Sequence, residues 1–252
     1  MKFAITGGDG AVGHHVVALA RRAGHETVVI SRRMGVDLMR ADGLTERIAG
    51  ADAVIDLASP TTLSTRKIVA FFTSSARNLA TAEQRAGVGH HVALSIIGAT
   101  EYPSGYYAGK AAQEEIVTTS RTPWSMLRTT QFHEFAQQTV NRGTIAGFHI
   151  SPKMRAQPLA AADVAVELLL IAEGAPRGLE PDLAGPREEY MPDMVHRYAR
   201  AVGKRNPLLS VSMPGVAGRA MRDGSLLAAP ATRTTTQTFA EWLSSLQEWK
   251  GL

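Results

Sequence analysis

The stretch "TGGDGAVG", Thr6 to Gly13, decides how the rest of the chain is read. It follows the apolar run Phe3-Ala4-Ile5 and opens a segment with Val12, Val16, Leu19 and Ala20 at helical spacing. Glycine costs a helix interior about 1 kcal/mol relative to alanine and leaves a strand with nothing to pack, so three of them belong between two elements. In a strand–turn–helix unit the first glycine permits the tight turn and the second lets backbone approach a pyrophosphate. The third lets the helix pack on the strand. The helix N-terminus adds free N–H groups and a partial positive charge. Gly7, Gly10 and Gly13, with Ala11 and Val12 among them, therefore read as a dinucleotide phosphate loop.

Beyond the loop the chain keeps a strand–helix rhythm. Apolar and β-branched runs at Phe3–Thr6, Thr27–Ser31, Ala53–Ala58, Val92–Ile96 and Trp124–Arg128 read as strands. Helical spacing covers Ala11–Ala23, Leu44–Ala49, Ser64–Ala86 and Tyr107–Ser120, with Gly24 and Gly87 as C-terminal stops. Helices of this length between strands imply parallel pairing through right-handed crossovers. The expected fold is α/β, a doubly wound parallel Rossmann sheet. After Arg128 the rhythm weakens, with helices expected at Ala161–Ala172, Asp193–Val202 and Thr238–Trp249. No linker or repeat is visible. Residues 1–252 thus read as a single dinucleotide-binding domain with an irregular substrate lobe at about 131–157 and 175–235.

Composition narrows the function. Of 252 residues, 44% are hydrophobic and 20% charged, as in ordinary soluble proteins. The absence of cysteine excludes disulfides, thiolate nucleophiles and Cys-based metal sites. The net charge of +4 comes from scattered pairs such as Arg21-Arg22 and Lys204-Arg205, without the interleaved aromatics of a nucleic-acid platform. The longest apolar stretch, Val164–Ala172, contains Glu167 and falls well short of the roughly 20 residues of a membrane span. Too few apolar residues precede the glycines for a signal segment. The expected setting is cytoplasmic, with a small-molecule substrate, no nucleic acid and no membrane partner. No metal is expected, because His14-His15 and His90-His91 are adjacent pairs and no His-Glu-x-x-His is present. Acyl transfer lacks its Gly-x-Ser-x-Gly elbow.

The end of the second strand selects the dinucleotide. NAD sites want Asp or Glu there for the ribose 2′-hydroxyl. This chain has Ser31-Arg32-Arg33, and a hydroxyl with two forked guanidiniums suits a 2′-phosphate, hence NADP(H). Farther on, "YYAGK" puts Tyr106 and Lys110 four apart at a helix start, on one face. An ammonium beside a phenol stabilises charge on its oxygen, which makes Tyr106 a candidate proton donor.

The glycine pattern, Asp37-Leu38, Tyr106-x-x-x-Lys110 and the run "PWSMLRTTQFHEF" (123–135) resemble the short-chain dehydrogenase/reductase superfamily, in its atypical, NmrA-like branch. "QPLAAADVA" (157–165) and "RTTTQTFAEWL" extend the similarity over nearly the whole chain. The resemblance implies a Rossmann sheet, NAD(P) binding and often hydride transfer. It implies that Gly7, Gly10 and Gly13 bind pyrophosphate and that Arg32 and Arg33 bind the 2′-phosphate. It places Asp37 and Leu38 by the adenine, and Ala58 and Ser59 along the cofactor. Tyr106 becomes the catalytic acid, and Lys110 the holder of the nicotinamide ribose.

One departure stands out. The Ser or Thr that usually assists the Tyr is replaced by Ile96, with Ser95 one position early. Side chains alternate along a strand, so Ser95 is expected to point away from the cofactor. Three functions follow: an NADPH-dependent reductase of a small carbonyl, enone or quinone-like compound, a non-redox isomerase or lyase, and a dinucleotide-sensing regulatory protein. Gln131, Phe132 and His133, leaving the fifth strand where open sheets bind ligands, are candidate substrate contacts, and "MPGVAGRAMRDG" (213–224) a candidate cover.

Overall fold

The alternation takes shape in a computed structural model that describes residues 1–142 and 144–248. The chain begins β1 (Lys2–Thr6), α1 (Gly13–Arg22), β2 (Glu26–Ile30), α2 (Leu44–Ile48), β3 (Ala53–Asp56) and α3 (Thr65–Ala86). It continues through β4 (His90–Ile96), α4 (Tyr106–Thr118), β5 (Trp124–Thr129), α5 (Glu134–Asn141), β6 (His149–Pro152) and β7 (Arg155–Ala156). Then come α6 (Ala161–Glu173), β8 (Gly178–Leu179), β9 (Leu183–Ala184), β10 (Glu189–Tyr190) and α7 (Met191–Ala201). It closes with β11 (Leu208–Val211), α8 (Gly215–Asp223), β12 (Arg233–Thr234) and α9 (Phe239–Glu248). Trp249, expected in the last helix, lies outside the described residues.

Two compact units result: Met1–Arg128 with Ala162–Pro181, and Thr129–Ala161 with the chain from Asp182 onward. In the first unit β2, β1, β3 and β4 lie side by side in parallel, β5 follows β4, and β8 runs parallel beside β5. The parallel Rossmann sheet expected from the sequence is present. Because the chain passes from β1 to β2 on one side and then to β3 on the other, the order reverses between β1 and β3. Ligands of open α/β sheets bind outside the strand ends at such a switch point. Ala4, Ile30, Leu44, Val54 and Leu79 interlock in a buried cluster below that end.

Helix α3 shows how pattern becomes packing. Ile68, Phe72, Ala76, Leu79 and Ala82 recur at three- and four-residue steps and are all buried, and Gly87 ends the helix at φ +69°. Helix α4 lies against it at Gly109, where an added Cβ would come within 2.5 Å of the Phe72 ring and 2.6 Å of Ile68.

The second unit is built of shorter pieces. β10 pairs antiparallel with β7, β11 pairs parallel with β6, and β12 pairs parallel with β9. Its aromatic core brings Phe239 and Trp242 together, ring centroids 5.5 Å apart. Helices α5 and α8 lie in segments expected to be irregular, and α8 occupies most of the candidate cover. Among the described residues, no helix is long and apolar enough to cross a membrane.

Candidate active site

The glycine loop leaves β1 at the switch point. Gly7 takes φ +61°, and a Cβ there would sit 2.7 Å from the Leu57 carbonyl oxygen. At Gly13 a Cβ would come within 2.2 Å of the Gly7 carbonyl oxygen. Only glycine closes the turn at either position. The Gly10 amide donates to the Gly7 carbonyl at 2.8 Å, which is why α1 starts at Gly13 instead of Ala11. Ala11 stays half-buried and Val12 is buried.

Beside the loop, Thr6 faces its register partner Asp56 across β1 and β3. The Thr6 hydroxyl donates to Asp56 Oδ1 at 2.6 Å and accepts from the amides of Leu57 and Ala58 at 3.0 and 3.1 Å. The other carboxylate oxygen accepts from Gln113 Nε2 at 2.6 Å. Gln113 Oε1 in turn accepts from Lys110 Nζ at 2.8 Å, and the Leu94 carbonyl accepts from the same ammonium at 2.7 Å. A buried chain thus links the strand that launches the glycine loop to the helix that carries Tyr106. Sequence reading missed Thr6, Asp56 and Gln113, since nothing in their spacing marks them.

Lys110 and Tyr106 do share a face of α4. The ammonium, only 4% exposed, stands 4.6 Å from the Phe72 ring centroid and 6.0 Å from that of Tyr106. Phe72 meets the Tyr106 ring edge-on, centroids 5.5 Å apart, and fixes its plane. Tyr107 is buried on a different side of the helix.

Ser95 points away from this group. Its hydroxyl donates to Glu114 Oε1 at 2.5 Å, and Arg128 clamps the same carboxylate through Nε and Nη2. The hydroxyl beside Tyr106 belongs instead to Ser59, beyond β3, whose Oγ donates to the Tyr106 oxygen at 3.4 Å.

At the end of β2, Arg32 and Arg33 form an exposed 3-10 turn after the extended Ser31. The structure adds a group that the reading of this strand end lacked. Asp9, from the middle of the glycine loop, accepts a hydrogen bond from the Ser31 hydroxyl at 2.7 Å. Asp37 Oδ1 accepts from the Met39 amide at 3.0 Å, Leu38 packs into the core, and Ala58 is buried there too.

The candidate substrate residues belong to the second unit. Phe132 bridges to Leu159, and Gln131 accepts the Leu159 amide through its carbonyl at 3.0 Å. His133 is fully buried: Nε2 donates to the Gln237 carbonyl at 3.1 Å, and the ring lies 5.7 Å from both Phe239 and Trp242. Burial pushes its pKa down to about 4, against the pull of that carbonyl. Its contacts are those of a core side chain.

His90 and His91 have protein partners. His90 Nε2 meets Ser125 Oγ at 2.9 Å, and burial lowers its pKa. Burial opposes charge on His91 as well, but the Glu83 carboxylate at 2.6 Å outweighs it and raises the pKa. Among the described residues, no cluster of three or more His, Cys, Asp or Glu could hold a metal ion.

The sequence matches a family described as NAD(P)H-binding over residues 7–170, well over half of the chain. The chain belongs to this NAD(P)H-binding family. Its residues fit the cofactor: a loop that closes only with glycine, at a switch point. No functionally curated protein matches it. Among solved structures, the NAD(P)H-binding chain is similar to an Escherichia coli NADPH-dependent quinone oxidoreductase complexed with NADPH. That match has 18% identity, covers 97% of this chain and 99% of the other, and has a TM-score of 0.71. A Bacillus cereus UDP-N-acetylglucosamine 4-epimerase has 19% identity, covers 100% and 97%, and has a TM-score of 0.68. A short-chain dehydrogenase/reductase superfamily protein from Agrobacterium tumefaciens with bound NAD has 17% identity, the same coverage and the same TM-score. At these identities the likeness establishes the fold.

Proposed function

We propose that this protein is an NADPH-dependent reductase of a small carbonyl, enone or quinone-like compound, of the NmrA-like branch. The observation that carries the reading is the group around Tyr106: a phenol with a hydroxyl donor at its oxygen and a buried ammonium on its own helix face. NADPH, when bound, supplies a hydride. Gly7, Gly10, Ala11, Val12 and Gly13 line its pyrophosphate, Ser31, Arg32 and Arg33 its adenosine ribose, and Asp37, Leu38, Ala58 and Ser59 its flanks.

Tyr106 gives its phenolic proton to the substrate oxygen. The Ser59 hydroxyl, which donates to the Tyr106 oxygen, supports the charge left there, the work that Ser95 is turned away from. Lys110 adds positive charge from below, and the Gln113–Asp56–Thr6 chain keeps that ammonium from swinging into solvent. Gln131 and Phe132 contact substrate. The E. coli quinone oxidoreductase on the same fold makes quinones the first acceptors to try.

The turned-away Ser95 favours one second reading, a protein that binds NADPH without turning it over. Following NADPH absorbance with a panel of quinones, enones and aldehydes separates the two. Acceptor-dependent oxidation supports the reductase. Tight binding of NADPH and NADP⁺ with no acceptor consumed supports the sensor.

A further inference from the structure

Asp9 is the one charged residue inside the glycine loop. A Cβ on Gly8 would lie 2.9 Å from Val29, so the loop runs against β2, and the next side chain reaches the strand end. There Asp9 Oδ2 accepts a hydrogen bond from the Ser31 hydroxyl at 2.7 Å. In this fold the end of β2 faces the 2′ position of the adenosine ribose.

We propose that Asp9, held by Ser31, is a cofactor-selecting residue that admits NADH alongside NADPH. The proposal rests on the assignment of this loop to NAD(P)H. Two recognition chemistries meet at one place. Arg32 and Arg33 offer forked donors for a 2′-phosphate. The Asp9 carboxylate opposes a phosphate by charge and occupies the Ser31 donor that a phosphate would use. A 2′-hydroxyl, by contrast, can donate to that carboxylate, the role an acidic residue at the end of β2 fills in NAD sites. Here the acid comes from the loop instead of the strand. The contest between carboxylate and guanidiniums keeps the preference for NADPH modest.

The test is equilibrium binding of NADPH and NADH, followed by calorimetry or protein fluorescence, with no turnover needed. Wild type, Asp9→Asn, Ser31→Ala and the Arg32→Ala/Arg33→Ala pair are compared. Asp9→Asn keeps shape and removes charge at an exposed position, so its fold is expected to survive. The ratio of NADH to NADPH dissociation constants should rise at least fivefold in Asp9→Asn, mainly through tighter NADPH. It should rise to a smaller degree in Ser31→Ala, where the carboxylate loses its tether. A change below fivefold in Asp9→Asn, or a change toward NADH, overturns the selecting role. If wild type binds neither nucleotide, the loop assignment itself falls and takes this proposal with it. If both bind and only the arginine pair alters the ratio, the assignment stands and the role of Asp9 alone is lost.

Discussion

Replacing Gln113 with leucine tests the buried chain beneath the site. The side chain is 1% exposed and bridges two buried charged groups, accepting from Lys110 at 2.8 Å and donating to Asp56 at 2.6 Å. Leucine has nearly the same volume, so little cavity opens. Two hydrogen bonds to charged groups disappear, each contributing about 1.5–3 kcal/mol, and two buried charges are left short of a partner. Better burial of the leucine returns about 1–2 kcal/mol. The net loss should be about 1–5 kcal/mol, within the stability of an ordinary domain. Urea unfolding of the two proteins measures it as a lower midpoint at unchanged slope. The loss should be non-additive with Asp56→Ala, because both changes remove the bond between Gln113 and residue 56. A loss below about 1 kcal/mol, or strict additivity, would refute the idea that Gln113 holds Lys110 and Asp56 together.

Three further outcomes are expected. The Arg32→Ala/Arg33→Ala protein should bind NADPH about ten- to a hundredfold more weakly, with NADH affinity nearly unchanged, as read by titration of both nucleotides. His133 has a folded pKa of about 4, below the unfolded value of 6.5, so the unfolded chain binds the extra proton in between. Its contribution is therefore whole above pH 6.5 and is lost as pH falls toward 4, by about 3 kcal/mol in all. Urea midpoints across that range should fall less steeply in His133→Phe than in wild type, and equal slopes would contradict the burial argument. Substituting Gln131 or Phe132 should change KM or kcat for the acceptor while leaving NADPH affinity within about twofold, which steady-state kinetics beside titration will resolve.

How much the sequence disclosed follows from the range of its signals. β1 to β5 and their helices are periodic over 4 to 22 residues, enough for pattern to specify element and face. The glycine loop was legible because its geometry admits one residue type at Gly7 and Gly13. The chain from Thr6 through Asp56 to Gln113 was not, because its members lie dozens of positions apart and each looks like an ordinary polar residue. The same distance hid Asp9: reading along β2 finds no acid, since the acid arrives from the loop before α1. In the second unit most strands have two residues, too few for any period to show. His133 was read by its place after β5, whereas its contacts come from Gln237, Phe239 and Trp242, far along the chain.

The most direct test of the central claim compares wild type with Tyr106→Phe in NADPH oxidation, using whichever acceptor wild type turns over. The substitution removes one oxygen and leaves the ring against Phe72. General acid catalysis typically contributes about 10²–10⁴-fold. The expected result is a fall in kcat of that size with NADPH affinity within about twofold. Full activity in Tyr106→Phe would contradict the account.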